Sequence, residues 1–276
     1  MRYAVVIVSP PDYPHAEAFR ELAESLVAAL RDLGHDAVLA RDFAVAGRRA
    51  LVLGANLLDR AGLEPPADAI LYNLEQVTPD SPWFPDAMLE RLRRHRVWDY
   101  SAANVARLSA LGVAATHVPI GYHPVLARIE RGTEDLDVLF YGSLNPRREA
   151  VLDGCEAQGL RVASVFGVYG AGRDALVARA RVVLNVHYYD ARVFEIVRVS
   201  YLLANRRCVV SETGTEPAEE ATWADGVAFA PYERLVETCV ALASQRSERR
   251  RLGEAGHARL AARPLAPILA AALAGD

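Results

Sequence analysis

The sequence predicts an α/β protein built of two doubly wound parallel sheets. Short apolar runs alternate with helical patterns along most of the 276 residues. This alternation is typical of parallel sheets whose strands are connected by helices. It occurs in two successive stretches with a polar segment between them, and the chain is long enough for two domains of roughly 100 to 150 residues each.

The first stretch begins with an apolar run at residues 3–8, which predicts a buried strand. Leucine and alanine then recur at helical spacing through residues 16–33, and Gly34 is the expected C-cap. The same rules predict the remaining elements of this stretch. They are strands at residues 37–40, 50–53, 69–73, 97–100 and 116–120, and helices at residues 88–96 and 104–111.

The second stretch repeats the pattern after the polar residues 124–134, which include Gly132 and are typical of a linker. It predicts five more strands, with helices between them, and an arginine- and alanine-rich helical tail that Pro264 and Pro267 interrupt. The strands are predicted at residues 138–141, 161–166, 182–186, 208–211 and 227–230. The predicted domains are residues 1–127 and 137–246, with a linker at 128–136 and the tail at 247–276.

Composition excludes several classes of protein. A net charge of −4 argues against a dedicated nucleic-acid binder, whose phosphate contacts require a basic surface. No run approaches the ~18 apolar residues of a membrane span, and the first residues do not form a signal peptide. The three cysteines lack the spacing of a metal site and favour a reducing compartment. We therefore expect a cytoplasmic protein.

A phosphate-binding turn is predicted after the strand at residues 138–141, where Gly142 and Ser143 lead into a helix. Backbone N–H groups at such a junction can point at a phosphate, and the helix dipole favours its charge. Asn145 is the predicted helix N-cap, and the proline after it is the first helical residue. The alternative interpretation is an ordinary tight turn.

Arginines next to this turn favour the phosphate interpretation. The chain contains no lysine, so all 31 basic residues are arginine. Arg147 and Arg148 lie in the first turn of the helix, and the guanidinium group is suited to bidentate contacts with phosphate.

A ribose-binding carboxylate is predicted after the strand at residues 182–186. Glu195 lies among apolar residues near the start of the next helix, where a carboxylate is costly without a partner. A ribose diol would be such a partner. The alternative is an ion pair with Arg192 or Arg198, each three residues away, and Arg198 is also a candidate contact for the ligand.

The residues directly after the same strand are His187, Tyr188 and Tyr189. His187 is expected either to contact a phosphate or sugar or to be a structural histidine with its hydrogen bonds satisfied. The two tyrosines are expected either to stack on a base or sugar ring or to pack at the rim.

A family likeness is carried by five segments: YNLEQ at 72–76, VWDYSAAN at 97–104, VPIGYHP at 118–124, DVLFYGSLNPRR at 137–148 and FEIVRVSYLLANRRCVVSE at 194–212. In this order they resemble a bacterial glycosyltransferase group of GT-B type, related to the spore-maturation-like and family-1-like transferases. The likeness covers about two thirds of the chain and both of its halves.

This resemblance implies two Rossmann-like domains that face each other across a cleft, with the donor bound mainly by the C-terminal domain. The implied donor is a nucleotide-diphosphate sugar linked to UDP, GDP or dTDP, and the acceptor is a sugar, lipid, small molecule or protein. The implied activity is metal-independent glycosyl transfer with no cofactor. Relatives commonly use an arginine and a lysine on the pyrophosphate, so this chain is expected to contain an arginine-based variant with Arg147 or Arg148.

A general base is required if the reaction inverts the anomeric centre, because the acceptor hydroxyl must lose a proton. Asp12 and His15 lie in the loop after the first strand, and Glu75 and Asp99 end other strands on the same edge of the sheet. Each is a candidate base. Asp12 is alternatively a helix cap, and retention could use the donor's own phosphate.

A non-catalytic nucleotide-sugar-binding or partner protein stays open as an alternative function. A nicotinamide-dependent oxidoreductase is disfavoured, because the glycines at 167–172 have the wrong order for a dinucleotide-binding loop. The D-x-D letters at 135–137 lead into a strand and mark a domain start. The arginine run at 246–251 favours a solvated terminal helix over contact with an anionic membrane.

Overall fold

The computed structural model describes residues 1–78 and 81–275. The chain divides into two compact units. One contains Met1–Val125 together with the segment from Arg263 onward, and the other is Leu126–Ala262.

The first unit contains a six-stranded sheet in the order β2-β1-β3-β4-β5-β6, in which every neighbouring pair is parallel. Its two central strands are buried except at Arg49, because most of their residues are apolar on both faces, as expected where helices cover a parallel sheet. The strands are β1 (Arg2–Ile7), β2 (Asp36–Ala40), β3 (Arg49–Leu53), β4 (Ile70–Asn73), β5 (Arg96–Asp99) and β6 (Ala115–His117).

The helices of this unit follow the predicted apolar spacing. The segment predicted at residues 16–33 begins as a 3-10 helix at Pro14–Phe19 and continues as α1, whose face with Leu22, Leu26 and Leu30 is buried. Gly34 ends the segment with a φ of 78°, which a glycine adopts without strain. The helices are α1 (Arg20–Asp32), α2 (Leu58–Ala61), α3 (Asp86–Arg94) and α4 (Ala102–Ala110).

The second unit contains a five-stranded parallel sheet in the order β11-β10-β9-β7-β8. Its core lies between this sheet and the helices that cover it, around Val138, Val182 and Val210. The strands are β7 (Leu136–Tyr141), β8 (Val162–Val165), β9 (Ala180–Asn185), β10 (Val209–Glu212) and β11 (Val227–Ala230). The helices are α5 (Pro146–Ala157), α6 (Gly170–Arg179), α7 (Ile196–Ala204), α8 (Pro217–Trp223), α9 (Leu235–Ser244) and α10 (Arg246–Ala261).

The end of the chain is organised differently from the predicted tail at 247–276. Helix α10 belongs to the second unit, and α11 (Leu265–Ala274) belongs to the first. Tyr122 joins this segment to the first unit, because its N–H donates to the Arg263 carbonyl and its carbonyl accepts from the Leu265 N–H, both at 2.8 Å. Pro264 ends the preceding helix and so allows the chain to change units.

The predicted linker at 128–136 is packed against the second unit. The N–H groups of Arg128 and Ile129 donate to Asn205 Oδ1 at 2.9 and 2.7 Å, and residues from Leu136 onward already form β7. The contacts therefore divide the chain between residues 125 and 126 and between residues 262 and 263. The sequence predicted that the first domain ends at residue 127.

The predicted fold class of two doubly wound parallel-sheet domains is confirmed, and each predicted strand has a counterpart in the structure. In the described part of the chain, no helix combines the length and the apolar character that crossing a bilayer requires.

Candidate functional site

The turn after β7 brings a glycine and two arginines together. Gly142 has a φ of 144°, and a Cβ there would lie 3.0 Å from Arg198 Nη2 and 3.6 Å from Arg148 Nη1. A side chain at this position would therefore press against the Arg198 guanidinium, whereas its distance from Arg148 is that of an ordinary van der Waals contact. Glycine is required here by both its backbone conformation and this close approach.

The backbone of this turn differs in one respect from the predicted phosphate loop. The Gly142 N–H already donates to the Val165 carbonyl at 3.0 Å, so it is not free for a ligand. Ser143 and Leu144 are exposed, and among the described residues their N–H groups have no hydrogen-bond partner. The backbone N–H groups available to a ligand therefore begin at Ser143, one residue closer to the helix than Gly142.

The predicted start of α5 is confirmed. Asn145 is its N-cap, and its Oδ1 accepts a hydrogen bond from the Arg148 N–H at 2.9 Å. Pro146 is the first helical residue, where its fixed φ is favourable and its missing N–H costs nothing.

Arg148 is buried and holds the ends of two strands together. Its Nε and Nη2 donate to the Val186 carbonyl at 2.9 and 2.5 Å, and its Nη1 donates to the Ser143 carbonyl at 2.7 Å. Burial, with a further contribution from the charge of Arg198, lowers its pKa to about 10. Its partners are carbonyl groups, so no carboxylate neutralises its charge directly.

Arg198 is the second cation beside Gly142. Its Nη1 donates to Asn185 Oδ1 at 3.3 Å, and its guanidinium carbon lies 5.3 Å from the centre of the Tyr141 ring. Within residues 1–78 and 81–275 it forms no ion pair. Two guanidinium groups therefore converge near the start of α5 without a carboxylate in contact with either.

Glu195 is held by the neighbouring strand rather than by the arginines predicted as its ion-pair partners. It precedes α7 as the N-cap residue, so Arg192 does not lie on an adjacent helical turn. Its carboxylate accepts hydrogen bonds from Asn185 Nδ2 at 2.7 Å and from His187 Nδ1 at 3.1 Å. Burial opposes its ionisation, but the hydrogen bonds and the charges of His187 and Arg198 outweigh burial and lower its pKa.

His187 is 1% exposed and leaves one ring nitrogen without a partner. Its backbone N–H donates to Glu212 Oε2 at 3.1 Å, and its Nδ1 contacts Glu195. Its Nε2 is buried and has no hydrogen-bond partner among the described residues. A Cβ at Gly214 would clash with the Arg192 carbonyl oxygen and lie 3.1 Å from this Nε2, so a residue larger than glycine does not fit against the nitrogen.

Arg147 forms an ion pair that was not predicted from the sequence. Its guanidinium forms a two-pronged ion pair with Glu212, with Nη1 2.5 Å from Oε2, and stacks over the Tyr232 ring at 4.0 Å. Glu212 is 1% exposed. In the sequence, Glu212 is a carboxylate at the end of a mostly apolar strand. This position could have indicated that it has a charged partner, because a buried carboxylate requires one.

Aromatic side chains at the ends of β8 and β9 are exposed. Tyr188 and Tyr189 are 42% and 40% exposed and pack edge to face with their centres 5.0 Å apart. Phe166, which sequence reasoning did not single out, is 54% exposed. These rings follow strands of one sheet edge, beside the arginines described above.

Two candidate bases of the first unit lie in the loop after β1. Asp12 is exposed and paired with Arg60 at 2.7 Å, and the hydrogen bond from Arg60 lowers its pKa. His15 packs against Tyr13 with ring centres 5.1 Å apart. Asp12 is therefore held as an anion by an arginine, which weakens it as a proton acceptor.

Asp99 is fully buried and has its carboxylate occupied. It accepts hydrogen bonds from Asn73 Nδ2 at 2.6 Å, from the Ser101 N–H at 2.8 Å and from Asn104 Nδ2 at 3.2 Å. These bonds connect the carboxyl ends of β4 and β5. Neither asparagine was identified from the sequence.

Glu75 differs from the other three candidates in its acidity. Burial raises its pKa to about 7, although a hydrogen bond from Asn56 opposes this shift. Its backbone is fixed by side chains, because Asn73 and Asn104 donate to its carbonyl at 2.9 and 3.0 Å. A partly buried carboxyl with this pKa, held on a rigid support, is suited to proton transfer near neutral pH.

The predicted residues thus form two groups within separate units. In the second unit, the structure brings the Gly142–Arg148 turn together with His187, Tyr188, Glu195 and Arg198. In the first unit, Glu75 and Asp99 lie on adjacent strand ends. The described residues contain no cluster of three or more histidine, cysteine, aspartate or glutamate side chains arranged to hold a metal ion.

Solved structures with similar folds include glycosyltransferases. HepE of Anabaena, solved in complex with UDP and glucose, has a TM-score of 0.63 at 13% identity, covering 100% of both chains. AviGT4, involved in avilamycin A biosynthesis, has a TM-score of 0.60 at 16% identity, covering 99% of this chain and 96% of its own. The fold is GT-B. WaaG, involved in lipopolysaccharide biosynthesis, shares the GT-B fold with a TM-score of 0.60 at 10% identity and 98% coverage of both chains.

Sequence relatives are uncharacterized proteins of Acanthamoeba polyphaga mimivirus. One is 27% identical over 184 residues, which cover 64% of this chain and 59% of the relative. Another is 34% identical over 106 residues, or 37% of this chain and 12% of the relative. The matches therefore span less than two thirds of these relatives, and no family model matches the chain.

Proposed function

We propose that the protein transfers a sugar from a nucleotide-diphosphate sugar to an acceptor and that its second unit binds the donor. The observation that carries this proposal is the pair of guanidinium groups, Arg148 and Arg198, beside Gly142 at the start of α5. No carboxylate contacts either group within the described chain. Such a pair, together with the positive end of a helix, favours a diphosphate.

Glu195 and His187 are suited to the sugar groups of the donor. The lowered pKa of Glu195 keeps its carboxylate ionised, so it can accept hydrogen bonds from two ribose hydroxyls. Nδ1 of His187 contacts Glu195, so Nε2 is the ring nitrogen left for a ligand. A donor hydroxyl, which can both donate and accept, would satisfy this buried nitrogen, which has no partner among the described residues.

The exposed rings of Phe166 and Tyr188 complete the proposed donor site. Both follow strands that flank β7 in the sheet. Flat aromatic surfaces at such positions favour stacking with a nucleobase or sugar ring.

In the proposed reaction, the bond between the anomeric carbon and the diphosphate oxygen breaks, and the electron pair leaves with the diphosphate. Arg148 and Arg198 stabilise this developing charge without a metal. The acceptor oxygen forms the new bond to the anomeric carbon. We assign its proton to Glu75 of the first unit, whose pKa of about 7 suits a general base.

Calorimetric titration with UDP, GDP and dTDP tests the donor assignment. We expect the wild type to bind at least one of them and Arg198→Gln to weaken that binding by about ten- to a hundredfold, because a charge-assisted contact is lost. Arg192→Gln is the matched control, since it removes the same charge from the loop that precedes α7. Equal affinities for the two variants would contradict the proposed site.

Donor hydrolysis and transfer assays separate the enzyme from a non-catalytic binding protein. The proposal predicts release of the nucleoside diphosphate from the matching nucleotide sugar. Binding without hydrolysis or transfer would instead identify a nucleotide-sugar-binding protein of the same fold.

We also infer a cytoplasmic location. The free cysteines Cys155, Cys208 and Cys239 are all buried thiols, which suits a reducing compartment. Cell fractionation tests this inference, and recovery of the protein outside the cytoplasm would contradict it.

A further inference from the structure

A cavity of about 470 Å³ lies at the amino-terminal edge of the second sheet. Its walls are the segment that precedes β7, the start of β9 and the junction of α9 with α10. All of its lining residues belong to the second unit. A cavity of this size accommodates a small organic molecule and not merely a single ion.

The lining of this cavity is strongly basic. Arg131, Arg181, Arg246 and Arg249 line it, and Glu134 is the acidic residue among the lining residues. Glu134 is paired with Arg249 at 2.5 Å, so its charge is already balanced. Of the other three arginines, Arg131 is paired with Glu254 at 3.8 Å and Arg181 with Asp137 at 2.7 Å.

The carboxylates that pair with Arg131 and Arg181 are each shared with a second arginine, since Glu254 also pairs with Arg206 at 3.0 Å. Asp137 is buried and is shared by Arg181, at 2.7 Å, and Arg161, at 2.9 Å. The Nε of Arg181 is buried and has no hydrogen-bond partner within residues 1–78 and 81–275. One carboxylate thus serves two guanidinium groups, and a donor atom of Arg181 is left unused.

A further buried cation lies close to this wall. Arg207 is 6% exposed, and its Nη2 donates to the carbonyls of Ile129 and Glu130 at 2.8 and 2.9 Å. Burial, followed by the charge of Arg131, lowers its pKa to about 10. Its partners are neutral carbonyls, so it adds to the positive potential.

The start of α10 adds to this potential as well. Arg246 is its first residue, is exposed and forms no ion pair with any described residue. The N-terminus of a helix is the positive end of its dipole, and the one acidic residue in this first turn, Glu248, is paired with Arg251 at 2.6 Å. The start of this 16-residue helix therefore keeps a positive charge at Arg246, which favours an anion.

We propose that this cavity binds the phosphate group of a phosphorylated small molecule, with Arg181 and Arg246 as its principal contacts. Guanidinium groups suit this ligand because they contact phosphate oxygens in pairs. Strands β7 and β9 separate the cavity from the proposed donor site by roughly 20 Å, the length of six extended residues. The two sites therefore take different ligands, and this proposal does not depend on the proposed glycosyl transfer.

Calorimetry with inorganic pyrophosphate tests the site, using Arg198→Gln protein to remove binding at the donor edge. We expect this protein to bind one pyrophosphate. Adding Arg246→Gln should weaken that binding at least tenfold, whereas adding Arg250→Gln, the exposed neighbour outside the cavity, should change it less than twofold. Absence of binding at millimolar pyrophosphate, or equal effects of the two changes, would overturn the proposal.

The same pair of variants in otherwise wild-type protein provides an independent measurement. Arg246→Gln should reduce the number of bound pyrophosphates by one relative to wild type, and Arg250→Gln should leave it unchanged. An unchanged number in the Arg246→Gln protein would also overturn the proposal.

Sedimentation with vesicles that contain phosphatidylserine distinguishes the cavity from a membrane-binding surface. We expect the same weak or absent sedimentation for wild type, Arg246→Gln and Arg250→Gln. The opposite outcome has two parts: the protein does not bind pyrophosphate, and it sediments with the vesicles unless Arg246 is changed to Gln. This outcome would show that the arginines bind an anionic membrane.

Discussion

Single residues at the proposed donor site depend on partners that are distant in the sequence. Asn185 and His187 hold the Glu195 carboxylate, and Gly214 packs against His187 Nε2. A buried nitrogen without a partner costs free energy comparable to a lost hydrogen bond. Such an atom in a folded protein is a reason to expect a ligand.

Glu75 should make stability depend on pH. Its folded pKa of about 7 lies above its ordinary value of 4.5. Between these values the folded state keeps a proton that the unfolded state releases, so stability falls as pH rises from about 4.5 to 7 and stays lower above that. Glu75→Gln should therefore be more stable than wild type at pH 8 by a few kcal/mol, since a tenfold change in acidity corresponds to about 1.4 kcal/mol. The difference should be much smaller at pH 4.5.

Urea unfolding of both proteins at these two pH values measures the effect. Glu90→Gln, at an exposed position of the same unit, is the control and should show little change with pH. A Glu75→Gln difference that is the same at both pH values would contradict the raised pKa of Glu75. In transfer assays this variant should lose about a hundredfold or more in rate while donor affinity is kept, if Glu75 is the base.

At the scale of elements, the start of α5 is tied to two neighbouring strands. Arg147 reaches Glu212 at the end of β10, and Arg148 reaches the Val186 carbonyl after β9. Asn145 caps the same helix turn. These contacts fix the turn that presents Gly142, so the position of the proposed phosphate site is set by three elements at once.

The ion pair between Arg147 and Glu212 should respond unequally to loss of either partner. Glu212 is 1% exposed, whereas the Arg147 side chain is 33% exposed. Arg147→Gln leaves a buried carboxylate unpaired and should cost about 3 kcal/mol, since one-sided removal from a buried pair costs ~3–5 kcal/mol. Glu212→Gln should cost less, because water can reach the remaining arginine.

Urea unfolding of both single variants and of the double variant forms the test. The double variant should be less destabilised than the sum of the two single changes. A larger loss for Glu212→Gln than for Arg147→Gln would show that the buried carboxylate is not the costly partner.

At the scale of the whole molecule, the chain returns to its first unit at the end. Helix α11 packs with α1, and its Leu265 and Leu269 are buried. Arg96 at the start of β5 donates to the Ala272 and Gly275 carbonyls, which satisfies the end of α11. The first unit is therefore completed by residues that the sequence places after the second.

Leu269→Ala should destabilise the first unit by ~2–5 kcal/mol, the usual cost of a buried leucine. Leu111→Ala, at a position that is 41% exposed in the same unit, should cost far less. Hydrogen exchange measured by mass spectrometry can assign the loss to a unit. Faster exchange in β8 to β11 than in β1 to β6 of the Leu269→Ala variant would contradict the placement of α11.

The sequence by itself determined the order and type of the elements, because apolar spacing and caps act between residues that are close along the chain. It therefore located the strands of both sheets, the Asn145 cap and the strand ends where ligands bind in such folds. Only the tertiary structure decided which side chains meet. The pairing of Arg147 with Glu212, the approach of Arg198 to Gly142 and the pKa of Glu75 depend on contacts and burial created when distant segments pack.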